Sequence, residues 1–422
     1  MSRGIVVRLP LRVLVLSQYY DPEPIPKPHE VAEGLRERGH EVTVVTGFPN
    51  YPYGRVYAGY AVRPWRREVI RGVPVLRLPL YPDHSRSSTR RVVNYLSFMA
   101  SAGVLGPLLS EPADVMFVRH PPLTIGVAAV LWSRLRRLPF VYGVADLWPE
   151  AVVAAGMIRN RGMIGALERL ERFVYRQAAI VAPVSAAMVD RLASKVPREK
   201  VRVLPDWADE RIYRPLSPDP DLAARLGATG RFNVIFGGQL GIVQKLDTVI
   251  EAAERLRDRP EVQFLIVGDG VEKPRLEREV ERRRLRNIRF PGRFPAQDIP
   301  KVYALADALL VHLSADPVFA LSIPGKVYAY LACAKPILAA AQGATADLVR
   351  EAGAGLTCPP EDGAALADAV LALLRIPPAA RQEMGERGRR VFMTTYARNV
   401  VLDRLEEMLY EVVGASRGAP AR

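Results

Sequence analysis

Two glycine-rich turns have the composition of a phosphate-binding site. Gly237, Gly238 and Gly241 follow an apolar strand pattern and precede a helical pattern in FGGQLGIVQKLDTVIEAAERL, and Gly268 and Gly270 end the next strand in IVGDG. Glycine at the carboxyl end of a strand lets the backbone approach a ligand, and the free amides of the following helix bind phosphate oxygens. The two turns predict a slot for a nucleotide, with ordinary strand-to-helix connections as the alternative.

A lysine beside a helix N-terminus is the second candidate. Lys326 begins a short helical pattern in LSIPGKVYAYLACAKPILAAA, where the helix dipole favours anions over cations. If Pro324 and Gly325 set the first helical turn, the free amides at Gly325 and Lys326 point towards the same ligand as the glycine turns. A diphosphate would satisfy both the amides and the lysine, so we predict that Lys326 binds phosphate. A solvated surface lysine is the alternative.

A proline-rich loop, DPEPIPKPHE at residues 21–30, is a third candidate. Four prolines within eight residues fix the path of this loop, and Lys27 and His29 stand at the start of the helix that follows. Two basic side chains at a helix N-terminus suit an anion such as a lipid diphosphate. The alternative is a rigid turn that only begins the helix.

The elements that position these residues alternate along the chain. The first set of strand patterns covers residues 12–17, 41–46, 73–78, 114–118, 140–144, 179–185 and 200–205. A break rich in proline and aspartate, residues 205–221, separates it from a second set at residues 232–238, 262–270, 287–292, 307–313, 336–341 and 355–358. Near-continuous apolar strands joined by helices predict parallel sheets covered on both faces.

We therefore expect an α/β protein of two doubly wound, Rossmann-like domains, one at residues 11–206 and a nucleotide-binding one, which carries the glycine turns, at residues 207–395. The two domains are expected to face each other across a cleft at the carboxyl ends of both sheets, where α/β folds bind ligands. The last helical pattern, residues 396–414, is expected to pack back onto the first domain.

Charge and cysteine content limit the classes of partner and site that the chain could have. The chain has 59 basic and 45 acidic residues, and its net charge of +14 favours polyanionic partners such as nucleic acid, anionic lipid or phosphate-bearing substrates. The arginines fall on helical patterns without a zinc-finger, RRM or KH motif, which disfavours nucleic acid. The two cysteines, Cys333 and Cys358, have no CxxC partner or neighbouring histidines, which excludes a disulfide framework and a structural zinc site and suits a reducing cytoplasm.

Two apolar runs bear on membranes. Pro10 interrupts the run at the N-terminus, and RVLVLS after it has a strand pattern, so we expect no export signal. The run at residues 94–109 is shorter than the roughly 20 residues of a membrane span. It predicts either a packed helix or a membrane-surface helix, the latter favoured by the flanking Arg90 and Arg91.

Several motifs together resemble a known family. They are YYDPEPIPKPHEVAEGLRERGHEVTVVTGFPNYPYGRVYAGY, RHPPLT, DLWPEAVVAAG, LERFVYRQA and IPGKVYAYLACAKPIL. The chain resembles the GT-B glycosyltransferases of family 4 from residue 12 to about residue 410, in particular the branch that adds amino or deoxy sugars in O-antigen and capsule synthesis. DLWPE and GFPNYP are specific to that branch, whereas RGHEVTVVT and the glycine turns occur across the wider family.

The resemblance implies a retaining enzyme that uses a nucleotide-diphosphate sugar and needs neither a catalytic metal nor another cofactor. It implies that Gly238 and Gly241 line the donor diphosphate and that Gly270 and Arg293 line the base. The full set of expected donor-binding residues is Gly238, Gly241, Gln244, Lys245, Gly268, Gly270, Arg293, Ser322, Pro324 and Gly325.

Three residues carry the expected catalytic roles. Lys326 would bind the phosphates, and Asp146 of DLWPE would face the sugar or the acceptor. His120 of RHPPLT is an acceptor-side candidate, with a rigid loop contact as the alternative. Lys326 and Lys245, with the helix N-termini, would stabilise the leaving diphosphate, by about 3–4 kcal/mol for one well-placed donor. Binding of the leaving group on the face that the acceptor enters would give retention, with the departing phosphate taking the acceptor proton and no carboxylate acting as nucleophile.

The sequence departs from the family pattern at four positions. Gln239 and Gln244 stand where many relatives have an arginine and a lysine, with Lys245 one step later. The two glutamates of the family's Glu-x7-Glu pair fall on Leu321 and Ala329, so the glutamate expected to bind ribose is missing. This departure puts donor affinity or activity in question.

The expected function is transfer of a sugar from a nucleotide donor to a lipid-linked or other glycan acceptor in cell-surface polysaccharide synthesis. The protein would work in the cytoplasm, peripherally on the inner face of the membrane. Two alternatives remain: a catalytically dead paralogue that binds a nucleotide or a partner enzyme as a scaffold, and an epimerase or hydrolase of sugar nucleotides.

Overall fold

The computed structural model describes residues 9–85, 87–154, 156 and 158–418. The chain divides into two compact units. One contains the described residues up to Val184, then Met188–Leu204 and the described residues from Leu402 onward. The other contains Ser185–Ala187 and Pro205–Val401. Each unit has one sheet flanked by helices, which confirms the predicted class of two α/β domains.

The sheet of the N-terminal unit has seven strands in the order β3-β4-β2-β1-β5-β6-β7. All neighbours pair in parallel except the edge strand β3, which is antiparallel to β4. The order reverses between β1 and β5, which makes their carboxyl ends the topological switch point where ligands of such sheets bind. The strands are β1 Arg12–Leu16, β2 Glu41–Gly47, β3 Arg66–Ile70, β4 Val73–Leu78, β5 Val115–Arg119, β6 Phe140–Val144 and β7 Ile180–Pro183.

Two strand predictions for this unit need correction. The strand predicted at residues 200–205 does not form a ladder, because Val201 makes a single bridge with Val181. The Leu204 amide still donates to the Pro183 carbonyl at 2.9 Å, but proline has no N–H with which to continue the pairing. Strand β3 was not predicted, because its residues, RREVI, are polar and alternate only between half-buried and exposed.

The helices of the N-terminal unit begin with local signals. Ser87 Oγ accepts from the Arg90 amide at the start of α2, and Asn160 Oδ1 accepts from the Met163 amide at the start of α5. The helices are α1 Pro26–Glu37, α2 Ser88–Leu109, α3 Ile125–Arg136, α4 Glu150–Ala154, α5 Arg161–Gln177 and α6 Val189–Ala193.

Helix α2 is longer than the apolar run that predicted it, because the helix begins at Ser88 rather than near residue 94. Among the described helices it is the one that has the length and apolar composition of a membrane span on its own, a test that core helices also pass. Its inner face is packed, since Phe98 and Ala102 are fully buried. The prediction of a packed helix therefore holds for one face only.

The C-terminal unit has an entirely parallel six-stranded sheet in the order β10-β9-β8-β11-β12-β13. Alternate residues of β8 enter two separate cores, Ile235 on one face and Val234 and Phe236 on the other. Burial on both faces explains the continuous apolar strand patterns. The strands are β8 Phe232–Gln239, β9 Val262–Asp269, β10 Ile288–Gly292, β11 Ala308–His312, β12 Ile337–Ala340 and β13 Gly355–Cys358.

Helices cover both faces of this second sheet. They are α7 Pro220–Leu226, α8 Asp247–Arg255, α9 Lys273–Arg282, α10 Ile299–Ala304, α11 Gly325–Ala332, α12 Ala344–Glu351, α13 Gly363–Arg375 and α14 Pro378–Thr395, followed by α15 Arg398–Gly418. The strand order reverses between β8 and β11, so the predicted glycine turn at the end of β8 lies at the switch point of this sheet.

The last helix, α15, is bound by the N-terminal unit over most of its length. His40 Nδ1 accepts a hydrogen bond from the Leu11 amide, so the proton sits on Nε2, which lies 3.1 Å from Glu406 Oε1. Arg38 also pairs with Asp403 at 3.0 Å. Residues at the two ends of the sequence thus complete one unit.

Candidate functional site

The two glycine turns of the C-terminal unit lie side by side. Gly238 of β8 pairs in register with Gly268 of β9, and both have a φ of +142°, a conformation that side chains disfavour. A Cβ on Gly268 would collide with the Gly238 carbonyl, and one on Gly270 would collide with the Leu240 carbonyl. These close backbone contacts explain why glycine occupies positions 268 and 270. Gly238 itself is exposed.

Lys326 lies over the first glycine turn. It is the second residue of α11, whose first turn contains no acidic residue. Its Nζ is 3.6 Å from the centroid of the Phe236 ring, and a Cβ built on Gly238 would approach that Nζ to 2.8 Å. The structure therefore brings together the lysine, the helix N-terminus and the glycine turn that the sequence singled out separately.

No acidic side chain in the described ranges pairs with the buried ammonium group of Lys326. Although part of the residue is exposed, its Nζ is buried, and no atom in the described part of the chain accepts a hydrogen bond from it. Burial lowers the pKa of Lys326 to about 7. The Phe236 ring offsets some of the desolvation through a cation–π contact. A buried amine at a helix start with only a ring beneath it is a site that an anion would complete.

The first loop positions its own residues through internal bonds. Gln244 Oε1 accepts from the Gly241 amide at 3.1 Å, and the Gln244 carbonyl lies 2.9 Å from His312 Nδ1 at the end of β11. Lys245 follows with a φ of +43° and is half-buried, and its charge acts on Glu361. Gln244 therefore shapes the loop, while Lys245 is the basic side chain of this loop.

The remaining predicted donor residues fall into two places, the start of α11 and the edge of the sheet. Pro324 is the N-cap of α11 and Gly325 its exposed first residue, while the Ser322 carbonyl accepts from Thr345 Oγ1 at 3.2 Å. Arg293 is exposed after the edge strand β10, two strands away from β8, and no described contact joins it to the glycine turns.

Neither position of the family's Glu-x7-Glu pair carries a carboxylate in this structure. Ala329 is buried in the helix, and Leu321 is half-buried before it. Two nearby carboxylates instead bind the loop after β11: Glu361 Oε1 accepts from the Ala315 amide at 2.8 Å, and Asp316 Oδ1 accepts from the Val318 amide at 3.0 Å. Both acids are thus already engaged with the backbone of that loop.

Sequence reasoning missed two aromatic supports of this site. The Gly237 amide donates to Tyr330 Oη at 2.9 Å, which fastens the first turn to α11. Phe236 supplies the ring beneath Lys326. Both residues read as ordinary core positions in the sequence, because only the pairing of β8 with β11 and the packing of α11 bring them to the lysine.

In the N-terminal unit, His120 follows β5 and is 1% exposed. Its ring lies between those of Tyr142 and Trp148, at centroid distances of 6.0 and 5.8 Å. Burial lowers the pKa of His120 to about 3, so the imidazole is neutral, and neither ring nitrogen has a hydrogen-bond partner among the described residues. Asp146 follows β6 and is exposed.

The proline-rich loop fits the rigid-turn alternative better than an anion site. Lys27 Nζ donates to Glu30 Oε2 at 3.0 Å. His29 is buried, with its Nδ1 3.5 Å from Asp21 Oδ2 and its Nε2 2.9 Å from Arg71 Nη1. Both basic side chains thus face acidic partners, and no cluster of His, Cys, Asp and Glu in the described ranges has the arrangement of a metal site.

Comparison with known proteins gives two family matches. Residues 27–207 match the family described as glycosyl transferase 4-like domain, and residues 231–375 match glycosyl transferases group 1. The putative colanic acid biosynthesis glycosyl transferase WcaI of Escherichia coli is 31% identical over 71% of this chain and 76% of its own. The probable glycosyltransferase WbjE of Pseudomonas aeruginosa is 28% identical over 53% of this chain and 57% of its own.

Solved structures give the same fold at low identity. Alr3699/HepE of Anabaena, in complex with UDP, has a TM-score of 0.71 at 17% identity and covers 95% of this chain and 100% of its own. Sucrose-phosphate synthase from Thermosynechococcus elongatus has a TM-score of 0.70 at 18% identity, over 96% of this chain and 100% of its own. At such identities the likeness extends to the fold alone.

Proposed function

Because the chain belongs to the GT-B glycosyltransferases, with family matches across both domains, we propose that it transfers a sugar from a nucleotide-diphosphate donor with retention of configuration. The observation that carries the proposal is the Lys326 ammonium, buried over the glycine turn of β8 without an acceptor among the described residues. A donor diphosphate would supply that acceptor. HepE, which has the same fold, binds UDP, and this supports a nucleoside diphosphate as the ligand.

The chemistry proposed for Lys326 is stabilisation of the leaving group. As the glycosidic bond to the donor breaks, negative charge grows on the diphosphate, and a buried ammonium together with the first amides of α11 lowers the energy of that charge. Because the ammonium and these amides can stabilise that charge by themselves, we propose a metal-independent reaction. The departing phosphate takes the acceptor proton, and Asp146 acts near the sugar.

The experiment that tests donor binding is calorimetric titration of the purified chain with UDP, GDP, ADP and UMP. Preference for one diphosphate over its monophosphate would support the proposal and would identify the base. Absence of binding by all of them would overturn it and would favour a catalytically dead paralogue that binds a partner enzyme, an alternative that the apolar residues Leu321 and Ala329 support. Release of free sugar from the donor without an acceptor would instead favour a hydrolase.

We further propose a lipid-linked glycan acceptor in cell-surface polysaccharide synthesis, reached from the inner face of the membrane. The relative named for colanic acid biosynthesis supports the pathway class. Support for the membrane comes from the outer face of α2, whose large apolar side chains are exposed at Val92, Val93, Leu96, Val104 and Leu108. Exposed apolar residues with a basic flank suit an anionic lipid surface.

Vesicle co-sedimentation tests the membrane surface. The double variant Val93→Glu with Leu96→Glu should bind less to vesicles of phosphatidylglycerol and phosphatidylcholine than the unchanged protein does. Val62→Glu with Val69→Glu places the same two charges on valines outside α2 that are 43% and 69% exposed, against 44% for Val93 and Leu96, and serves as the control. Equal binding by all three proteins would restrict α2 to a packing role.

A further inference from the structure

A row of aromatic rings crosses the carboxyl edge of the N-terminal sheet. Five of the parallel strands each end in a loop that contributes one ring: Tyr19 after β1, Tyr51 after β2, His84 after β4, His120 after β5 and Trp148 after β6. This edge includes the switch point between β1 and β5. The ring-bearing loops thus converge where this sheet would bind a ligand.

The rings touch one another in sequence. Tyr51 lies 5.1 Å from His84 and 5.2 Å from Tyr19, measured between ring centroids. Tyr95 of α2 is hydrogen-bonded to Tyr19 and lies 6.1 Å from Trp148, which in turn contacts His120 edge-to-face. We refer to these six residues as the aromatic row. Four of them, Tyr51, His84, Tyr95 and Trp148, are half-buried, so part of each ring remains open to a ligand.

Polar atoms without partners line the same row. His120 has two unpartnered ring nitrogens, and His84 Nε2, Gln18 Oε1 and Arg91 Nε are also buried without a hydrogen-bond partner in the described ranges. Gln18 is 1% exposed and is held by the bond from its Nε2 to Asn94 Oδ1 at 2.7 Å. Arg91 acts electrostatically on both His84 and Tyr95. Buried polar atoms are costly unless a partner satisfies them.

We propose that the aromatic row binds the face of a pyranose ring of the acceptor. A sugar presents C–H bonds on one face, which pack on aromatic rings, and hydroxyl groups at its edge, which can both donate to Gln18 Oε1 and exchange hydrogen bonds with His84 and His120. An isoprenoid chain would pack on the rings but would leave these polar atoms unpartnered. The row therefore favours a carbohydrate over the lipid part of an acceptor.

This inference rests on the proposed function for the role of the sugar as acceptor, but its binding can be measured without transfer. Saturation-transfer difference NMR on the full chain would use methyl glycosides of glucose, N-acetylglucosamine and rhamnose as probes, with farnesyl phosphate as the lipid probe. Saturation of C–H protons of at least one glycoside is expected. Trp148→Leu and Tyr95→Leu should each weaken that binding by about three- to tenfold, the effect of losing one aromatic contact.

Trp65→Leu is the matched control, because it makes the same change at a tryptophan that is 51% exposed just before β3 and outside the row. Thermal unfolding checks that each variant is folded. Glycoside signals that survive both row variants, or saturation of farnesyl phosphate alone, would overturn the carbohydrate assignment. Titration of the same samples with UDP, GDP and ADP separates the two proposals: if none of the three binds but the row variants lose glycoside, the transferase proposal fails and the row remains a sugar site.

Discussion

Replacement of Lys326 by methionine tests the donor site most directly. Methionine keeps an apolar stem over the Phe236 ring and removes the ammonium, so the variant isolates the charge. A hydrogen bond to a charged group contributes about 1.5–3 kcal/mol, which corresponds to a rise of about 10- to 100-fold in the Kd of a nucleoside diphosphate. Lys301→Met is the control, because Lys301 is exposed and paired with Asp298 at 2.9 Å.

The pH dependence of the same variant gives a second readout. The pKa of Lys326 in the empty protein is lowered to about 7 by burial. A bound diphosphate favours the charged amine, so binding above pH 7 must take up a proton, and the affinity advantage of the unchanged protein over Lys326→Met should shrink by up to about tenfold per pH unit above 7. Because the nucleotide titrates equally with both proteins, its own ionisation cancels in the comparison.

Stability should change in the opposite sense to binding. The unfolded chain binds the Lys326 proton more tightly than the folded chain, so burial of this amine destabilises the empty protein most below pH 7, and the penalty fades as the pH rises towards the ordinary lysine pKa. Lys326→Met should therefore unfold at a higher temperature than the unchanged protein at pH 6 and keep only part of this advantage at pH 9. An unchanged Kd combined with a lower unfolding temperature would refute the assigned role.

Three further predictions concern other parts of the fold. Asp146→Asn should lower turnover by about a hundredfold while calorimetric donor binding stays intact, and equal loss of both would make Asp146 structural. Gly268→Ala should cost about 1–3 kcal/mol in thermal unfolding, because its φ of +142° disfavours a side chain, whereas Gly165→Ala in α5, with nothing within 4 Å, should not destabilise. Lys195→Met should cost about 3–5 kcal/mol in urea unfolding, because it leaves the buried Glu171 without the Nζ that lies 2.6 Å away. Since burial already raises the pKa of Glu171, this loss should be greater at pH 8 than at pH 5, and addition of Glu171→Leu should restore stability.

Much of the fold could be predicted because its parallel strands are buried on both faces. Strands such as β8 and β11 have continuous apolar patterns, which only a covered parallel sheet requires. The patterns were less informative at the edges of the N-terminal sheet. Strand β3 is polar because it lies at the antiparallel edge, and residues 200–205 have a strand pattern although Pro183 prevents a full ladder.

The candidate site could be predicted only where one segment carries the signal. The glycine turns and Lys326 each show a local conflict or a local requirement in the sequence, and the structure places them together. The aromatic row as a whole shows no such local signal, because five of its rings come from loops after different strands and Tyr95 comes from α2. Tyr19 and His120 meet the other rings only through the strand order of the sheet, which local patterns do not specify.

Helix α15 has a consequence for how the chain is made. The ribosome releases the N-terminal unit first, yet this unit still lacks α15, whose Glu406 and Asp403 pair with His40 and Arg38. During synthesis the His40 ring therefore has no contact with Glu406 until α15 emerges, hundreds of residues later and after the whole C-terminal unit. The N-terminal unit is thus completed last. In a chain cut short before α15, the surface around His40 and Arg38 that α15 covers would stay exposed to solvent.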